Sequence, residues 1–295
     1  MIYKLLRATQ TQARELAIQE LKKNGYTPKV FKDFIYAEGS VPVLLVAHYD
    51  TVLKEPPKKI KNTDGVLSSP VGLGADDRAG MYAILEIVKK HHCHVLFTGG
   101  EEVGGIGARA FKMSNLKPNV NYIIELDRRG SNDAVYYEGA NEEFEDFITS
   151  HGWKTASGTF TDICVLAPYL GVAAVNLSIG YSYEHQKKET LDTKVLEKNI
   201  KRVQELLSEE TKFEWIEAPY RYDSMASYWE RNDERDLDLY IIEYKIKGTL
   251  RADYGYGRSS NEALGDFFTC HPDLCFKDVV DFYNEDSFYR EKGWY

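Results

Sequence analysis

Residues 43–50 read Val-Leu-Leu-Val-Ala-His-Tyr-Asp, and this stretch decides the fold prediction. Five consecutive apolar residues followed by polar ones are typical of a strand that is buried on both faces, as in a parallel sheet. In an open α/β sheet, ligands gather outside the carboxyl ends of the strands. His48 and Asp50 follow this strand directly. The stretch therefore predicts an imidazole and a carboxylate at the ligand-binding edge of a sheet.

Three further apolar runs predict strands that end in the same way: His94–Thr98, Tyr122–Leu126 and Val172–Leu177. The groups that follow them are Glu101 and Glu102, then Asp127, and, after a loop, His185. We therefore expect these groups at the same edge of the sheet as His48.

Two adjacent aspartates, Asp76 and Asp77, precede a predicted helix over Met81–Lys90 that has helical spacing of apolar residues and a basic last turn. Carboxylates at a helix N-terminus often serve only as caps. A cap needs only one carboxylate, whereas here two adjacent aspartates follow the small residues Gly74 and Ala75. Helical and strand patterns alternate regularly up to residue 211, which predicts an α/β fold with a mixed, mostly parallel central sheet flanked by helices.

The composition bounds the class of protein. Hydrophobic content of 43% and charged content of 28% are ordinary for a globular chain of 295 residues. No apolar run is long enough to span a membrane, and the N-terminus lacks the apolar core of a signal peptide. The 4 cysteines do not indicate a disulfide framework, so a reducing cytoplasm is expected. A net charge of −9 argues against nucleic acid as a partner.

A change in composition near residue 212 marks the one predicted domain boundary, between 1–211 and 212–295. The second segment holds 11 Lys/Arg and 18 Asp/Glu, which gives −7 of the total −9. It is rich in tyrosine, which favours folded structure over a disordered tail. A strand is predicted at Leu239–Ile246 and a short helix around Phe276–Tyr283. We expect a small α+β appendage, whose role the sequence does not give.

Histidines and carboxylates without cysteine suit a catalytic cation, with zinc expected and manganese or cobalt as alternatives. The candidate ligands of two such ions are His48, Asp76, Glu102, Asp127 and His185. A metal pair polarises a carbonyl and lowers the pKa of bound water, so that hydroxide is available near neutral pH. A general base must still move the proton, and Glu101 is the natural choice. Asp50, two residues after His48, is placed to orient the imidazole.

Each group alone has an ordinary explanation, such as a packed or solvated histidine, a solvated acidic pair or a salt bridge. The order and strand-end placement of all of them together favour a site. Two other motifs are expected to be structural. Residues 91–94, His-His-Cys-His, lie where a helix ends and basic groups meet its free carbonyls. Thr161-Asp162 is expected to be a helix cap.

The ordered set resembles the co-catalytic di-zinc exopeptidase superfamily, which includes tripeptidases, leucyl-type aminopeptidases, carboxypeptidases and aminoacylases. The resemblance runs from about Val41 to Glu210, through residues 46–52, 74–80, 97–104, 124–127 and 176–185. It implies that Asp76 bridges the two metals, with Asp77 left open as the alternative. It further implies that His48 and Asp127 complete one site and Glu102 and His185 the other. By the same resemblance Glu101 is the base and Asp50 the orienting residue.

Two departures from the family pattern bear on function. Superfamily members with aspartate at the position of Asp127 tend to be aminopeptidases and dipeptidases, whereas those with glutamate tend to be carboxypeptidases or deacylases. The segments around the motifs are also too short for the lid domain that many relatives insert. A transition-state donor would then come from elsewhere, for instance Tyr181, Tyr183 or a C-terminal tyrosine.

These features predict metal-dependent hydrolysis of peptide bonds at the N-terminus of short peptides. One alternative is an amidohydrolase that acts on N-acyl amino acids at the same metal pair. The other is a metal-retaining binding or assembly protein without catalytic activity, in which the acidic appendage covers the cleft. Side-chain preference and oligomeric state are not predicted.

Overall fold

The computed structural model describes residues 1–158, 160–217, 238–246, 249–257, 260–271, 274 and 278–284. Its helices are α1 (Ile2–Leu6), α2 (Gln10–Lys23), α3 (Ala75–Ile87), α4 (Ile106–Met113), α5 (Glu142–Ser150), α6 (Ile163–Leu170), α7 (Thr193–Leu206) and α8 (Ser260–Cys270). Its strands are β1 (Lys29–Val30), β2 (Phe34–Ala37), β3 (Val41–His48), β4 (Lys61–Thr63), β5 (Val66–Ser68), β6 (Cys93–Thr98), β7 (Tyr122–Arg128), β8 (Asp133–Val135), β9 (Lys154–Thr155), β10 (Ala174–Ser178), β11 (Tyr181–Ser182), β12 (Thr190–Asp192), β13 (Asp238–Ile246), β14 (Thr249–Gly257) and β15 (Val279–Asn284).

The central sheet has eight strands in the order β1-β2-β6-β3-β7-β10-β8-β9. Its middle strands, β6, β3, β7 and β10, are parallel, and the strands that flank them, β2 and β8, run antiparallel to them. This confirms the predicted mixed, mostly parallel sheet. In the register of β3 and β6, His48 pairs with Thr98, so the two strands end side by side. That alignment brings the loops after His48 and Thr98 to one edge of the sheet.

Strand β3 is buried on both faces, as its continuous apolar run predicts. Val43, Leu45 and Ala47 belong to one hydrophobic core together with residues of α2, α3 and α7. Leu44 and Val46 belong to a second core together with residues of α4 and α6. Burying each large aliphatic side chain stabilises the fold by about 1.5–3 kcal/mol. The strand can therefore hold its polar end, His48, in a fixed position.

Helix α3 starts earlier than predicted, at Ala75 rather than Met81, and ends at Ile87 rather than Lys90. The preceding Gly74 has φ 65°, a left-handed conformation that glycine adopts readily. Asp76 and Asp77 have non-helical φ and ψ angles within this first turn. Both carboxylates are therefore carried on an irregular turn rather than on regular helix.

A second sheet, in the order β11-β12-β5-β4, lies beside the first. Strands β4 and β5 form an antiparallel hairpin within the predicted loop between His48 and Asp76. Strand β12 pairs with β5, with Leu191 opposite Leu67. This pairing joins the loop that carries His185 to the segment that leads to Asp76. Among the described residues, no helix is both apolar and long enough for a membrane crossing.

The C-terminal segment forms a three-stranded sheet, β14-β13-β15, which packs with α8. Strand β13 (Asp238–Ile246) confirms the predicted strand. The helix predicted around Phe276–Tyr283 is wrong, because Val279–Asn284 pairs with β13 as a strand. Residues 218–237 and 275–277 lie outside the described residues. Phe213 is still buried in the first core, and the boundary at 211/212 stays a prediction.

Candidate active site

The two predicted histidine ligands meet at the carboxylate of Asp76. His48 Nε2 lies 3.0 Å from Asp76 Oδ1, and His185 Nε2 lies 3.1 Å from Asp76 Oδ2. Each oxygen of one carboxylate thus faces a different imidazole. His48 comes from the end of β3, Asp76 from the first turn of α3, and His185 from the loop between β11 and β12. A carboxylate in this position can bridge two cations.

Each histidine has a second carboxylate beside it. His48 Nε2 lies 3.6 Å from Asp127 Oδ1, and His185 Nε2 lies 2.9 Å from Glu102 Oε2. Ligand atoms bound tetrahedrally to one zinc ion at about 2.0–2.1 Å are about 3.3 Å apart from one another. The separations here bracket that value, so the residues present fit a pair of small cations on either side of Asp76. The described residues hold two candidate metal-binding groups, His48 with Glu101 and Asp127, and His48 with Asp76 and Glu102. In the first group, the family resemblance assigns Glu101 as the base rather than as a ligand.

Glu101 and Asp50 complete the site. Glu101 Oε2 lies 3.8 Å from His48 Nε2, on the same side as the candidate ligands. Asp50 Oδ1 lies 3.3 Å from His48 Nδ1. The carboxylate of Asp50 also accepts hydrogen bonds from the backbone N–H groups of Glu101 and Glu102, each at 3.3 Å. Asp50 therefore lies within ion-pair distance of the imidazole and is hydrogen-bonded to the loop that carries the two glutamates.

Asp77 has a different environment from Asp76. One oxygen of Asp77 accepts a hydrogen bond from the backbone N–H of Gly80 at 2.8 Å, and the other accepts one from the backbone N–H of His48 at 3.3 Å. The side chain is fully buried. This geometry makes Asp77 a link between the start of α3 and the end of β3. It favours Asp76 over Asp77 as the bridging residue.

The crowded carboxylates alter one another's protonation. Burial would lower the pKa of His48, but Asp127 and Asp50 raise it well above its usual value. Burial would likewise lower the pKa of His185, but Asp76 and Glu102 raise it to about 11. For Glu102, burial and the charge of Asp76 raise the pKa to about 7. At neutral pH the metal-free site therefore holds protons where cations would bind.

Metal binding at pH 7 is therefore expected to release at least two protons, because ligand histidines must be neutral and both His48 and His185 are protonated in the free site. Affinity should already fall as pH is lowered from the alkaline range in which His185 becomes protonated, and it should fall more steeply below about 7, where Glu102 also takes up a proton. Isothermal titration calorimetry in two buffers of different ionisation enthalpy measures this release. Binding heats that are independent of the buffer would contradict the assignment.

Sequence reasoning missed Glu189, which lies beyond the His185 loop. Its buried carboxylate accepts four backbone N–H bonds, from Leu73, Gly74, Ala75 and Asp76, at 2.6–3.1 Å. It thereby fixes the turn that presents Asp76. The only local signal in the sequence is an acidic residue near His185, and its partners lie more than 110 positions away.

A second group that the sequence did not reveal lies behind Glu101. Asp162, expected to be a helix cap, makes no cap hydrogen bond at α6, so that expectation is wrong. Its side chain instead accepts a hydrogen bond from the hydroxyl of Thr98. Burial raises the pKa of Asp162 to about 7 and that of Glu125 well above its usual value. The charge of Asp162 in turn helps to raise the pKa of Glu101.

Of the tyrosines considered as donors, Tyr181 donates its hydroxyl hydrogen bond to Asp127 Oδ1 at 3.0 Å. It therefore orients a candidate ligand. Tyr183 is 52% exposed and lies two residues before His185. Residues of the segment 91–94 make packing contacts, as expected. His94 Nδ1 lies 2.8 Å from the hydroxyl of Tyr36, and the ring of His92 stacks on that of Tyr26 with 4.0 Å between the ring centres.

Fold and site together define a class: a mixed α/β sheet, flanked by helices, whose carboxyl edge gathers histidines and carboxylates that could hold metal ions. The sequence model of peptidase family M28 matches residues 36–211, more than half of the chain. The chain belongs to peptidase family M28, which is metal-dependent. It is therefore a peptidase of the co-catalytic zinc exopeptidase superfamily. Among curated proteins, none matches the chain significantly.

Solved structures share the fold at low sequence identity. Aminopeptidase PepT from Bacillus cereus is 15% identical with a TM-score of 0.59, covering 70% of this chain and 97% of that one. A tripeptidase from Staphylococcus aureus is also 15% identical with a TM-score of 0.59, covering 70% and 95%. The TET1 peptidase of Pyrococcus horikoshii, which can assemble into a tetrahedron or a large octahedral shell, is 17% identical with a TM-score of 0.53, covering 67% and 94%.

Proposed function

We propose that this peptidase removes residues from the free N-terminus of short peptides at a site that holds two divalent cations, with zinc as the expected metal. The single observation that carries the proposal is the carboxylate of Asp76, whose two oxygens lie 3.0 and 3.1 Å from His48 and His185. Asp127 and Glu102 supply a further carboxylate on each side.

When bound, such a cation pair polarises the scissile carbonyl and makes a water nucleophile available near neutral pH. The residues of the chain do the rest. Glu101, whose pKa is raised by burial and by neighbouring carboxylates, takes the proton of the attacking water and passes it to the leaving amine. Asp50 holds the ring of His48 and the backbone of Glu101 in fixed relative positions.

The preference for a free N-terminus rests on Asp127. In the superfamily that this chain resembles, aspartate at this position goes with aminopeptidases and dipeptidases. Similar folds in an aminopeptidase and a tripeptidase also support it. Between His48 and Asp76 the chain contains only the short β4–β5 hairpin and no inserted domain. We propose residues 1–211 as the catalytic domain and 212–295 as an accessory region.

Paired substrates test this proposal against the amidohydrolase alternative. Tripeptides with a free N-terminus are expected to release the first amino acid, whereas the same peptides with an acetylated N-terminus are not cleaved. N-acetyl amino acids serve as the substrates of the rival activity, and product is quantified by amino-acid analysis. Faster turnover of N-acetyl amino acids than of free tripeptides would make the chain a deacylase. No turnover of either, by metal-loaded protein, would make it a binding protein.

A further inference from the structure

The C-terminal segment contacts the catalytic unit directly beside the candidate base. The loop between β6 and α4 carries Glu101 and Glu102 and then turns through Gly104 and Gly105. The backbone N–H groups of both glycines donate to the carbonyl of Glu101, at 3.0 and 3.2 Å. Any displacement of this glycine turn therefore moves the backbone of Glu101.

Helix α8 closes over that turn. The ring of Phe268, only 1% exposed, lies so near Gly104 that a Cβ there would come within 2.9 Å of it. Gly104 has φ 93°, so glycine is also required by its backbone conformation. One turn back along α8, Gly265 approaches Phe160, whose ring in turn lies against Gly105.

Arg109 links the two units. Its guanidinium lies 4.8 Å from the centre of the Phe268 ring, a cation–π distance. Its Nε donates to the carbonyl of Gly104 at 3.1 Å, and its Nη1 donates to the carbonyl of Leu274 at 2.5 Å. The side chain is only 6% exposed. One buried side chain thus holds the glycine turn and the C-terminal segment together.

We propose that the C-terminal segment supports the Glu101–Glu102 loop from outside, and that Arg109 and Phe268 are positioning residues for it. Asp50 holds the loop from the inside through the N–H groups of Glu101 and Glu102. With both supports in place, the loop is fixed on two sides. This inference rests on the proposed function for its kinetic consequence, but its structural consequence is independent of it.

Two substitutions in the full-length protein test the support. Phe268→Ala removes the ring from Gly104, and Arg109→Met removes both hydrogen bonds while keeping an apolar stem. Loss of a residue that orients a metal ligand typically lowers metal affinity or activity by about 10–100-fold. We expect each variant to weaken the binding of one of two Co²⁺ ions by about 10-fold or more. The readout is the visible absorption of bound Co²⁺ during a titration.

In kinetic assays of the same variants, kcat for a tripeptide should fall by about 10-fold or more, because Glu101 and Glu102 are no longer held in position. KM should stay within about twofold, because the residues that bind the peptide are unchanged. Phe268→Leu fills part of the space that the phenylalanine ring occupies beside Gly104. This variant should therefore recover much of the Co²⁺ affinity and much of kcat. Lys112→Met on the same helix α4 is the matched control and should leave both unchanged.

Unchanged Co²⁺ titrations in both Phe268→Ala and Arg109→Met would overturn the proposal. So would a rise in kcat, which is the result expected if the segment covered the cleft. If the wild-type protein cleaves no peptide, the proposed function fails, yet the Co²⁺ titration still decides whether the segment positions Glu102.

Discussion

Glu101→Gln is expected to lower kcat for tripeptide hydrolysis by about 10²–10⁴-fold, because the amide can neither accept nor deliver a proton. The substitution keeps the size of the side chain and the backbone N–H that Asp50 holds. The side chain of Glu101 is 13% exposed and lies at the site without being one of its proposed ligands. Metal content and thermal stability should therefore stay close to those of the wild-type protein.

The position of Glu101 makes this a sharp test. Burial raises its pKa, the charge of His48 opposes that rise, and Asp127 and Glu102 add to it. A carboxyl group whose pKa is raised is a stronger base, and it is better suited to accept a proton from water and then return it. Glu143→Gln, on the exposed face of α5, is the matched control and should have wild-type kinetics. A Glu101→Gln enzyme with a wild-type rate would remove Glu101 from the mechanism.

Asp76→Asn is expected to lose most of both metal ions and, with them, detectable hydrolysis. The carboxylate of Asp76 is the one group that faces both His48 and His185. Burial would raise its pKa, but hydrogen bonds with the two histidines hold it well below its usual range, so it is ionised at neutral pH. An amide carries no charge to share between two cations and can present only one oxygen.

Asp77→Asn is the informative comparison, because it changes the neighbouring residue in the same way. Here metal content should persist, while stability falls by about 1–3 kcal/mol as one of the two buried N–H groups loses its acceptor. Metal analysis by mass spectrometry and thermal unfolding measure the two effects separately. Metal loss in Asp77→Asn with retention in Asp76→Asn would exchange the roles of the two residues.

The sequence predicted those parts of the fold whose signal is local. The apolar run before His48 specifies a strand buried on both faces, and the strand end then places His48 without further information. The same holds for Asp127 at the end of β7. The Asp76-Asp77 pair is recognisable in the sequence because it precedes a predicted helix. The sequence does not tell which aspartate faces the histidines, because that depends on the irregular turn that Glu189 holds.

The remainder could not be predicted, because it depends on contacts between distant segments. Nothing in the local sequence distinguishes Glu189 from other acidic residues. Its role depends on the pairing of β12 with β5, which brings it to the turn before Asp76. Asp162 precedes a helix, as a cap does, but the hydroxyl of Thr98 competes for its side chain. Val279–Asn284 forms a strand because β13 offers it an edge. In each case the deciding partner is far away in the sequence.

Anomalous diffraction from crystals grown with zinc tests the central claim most directly. Two peaks about 3.5–4 Å apart are predicted, with the carboxylate of Asp76 between them. His48 and Asp127 should contact one peak, and His185 and Glu102 the other. A single ion, or a pair of ions with no contact to Asp76, would contradict the account.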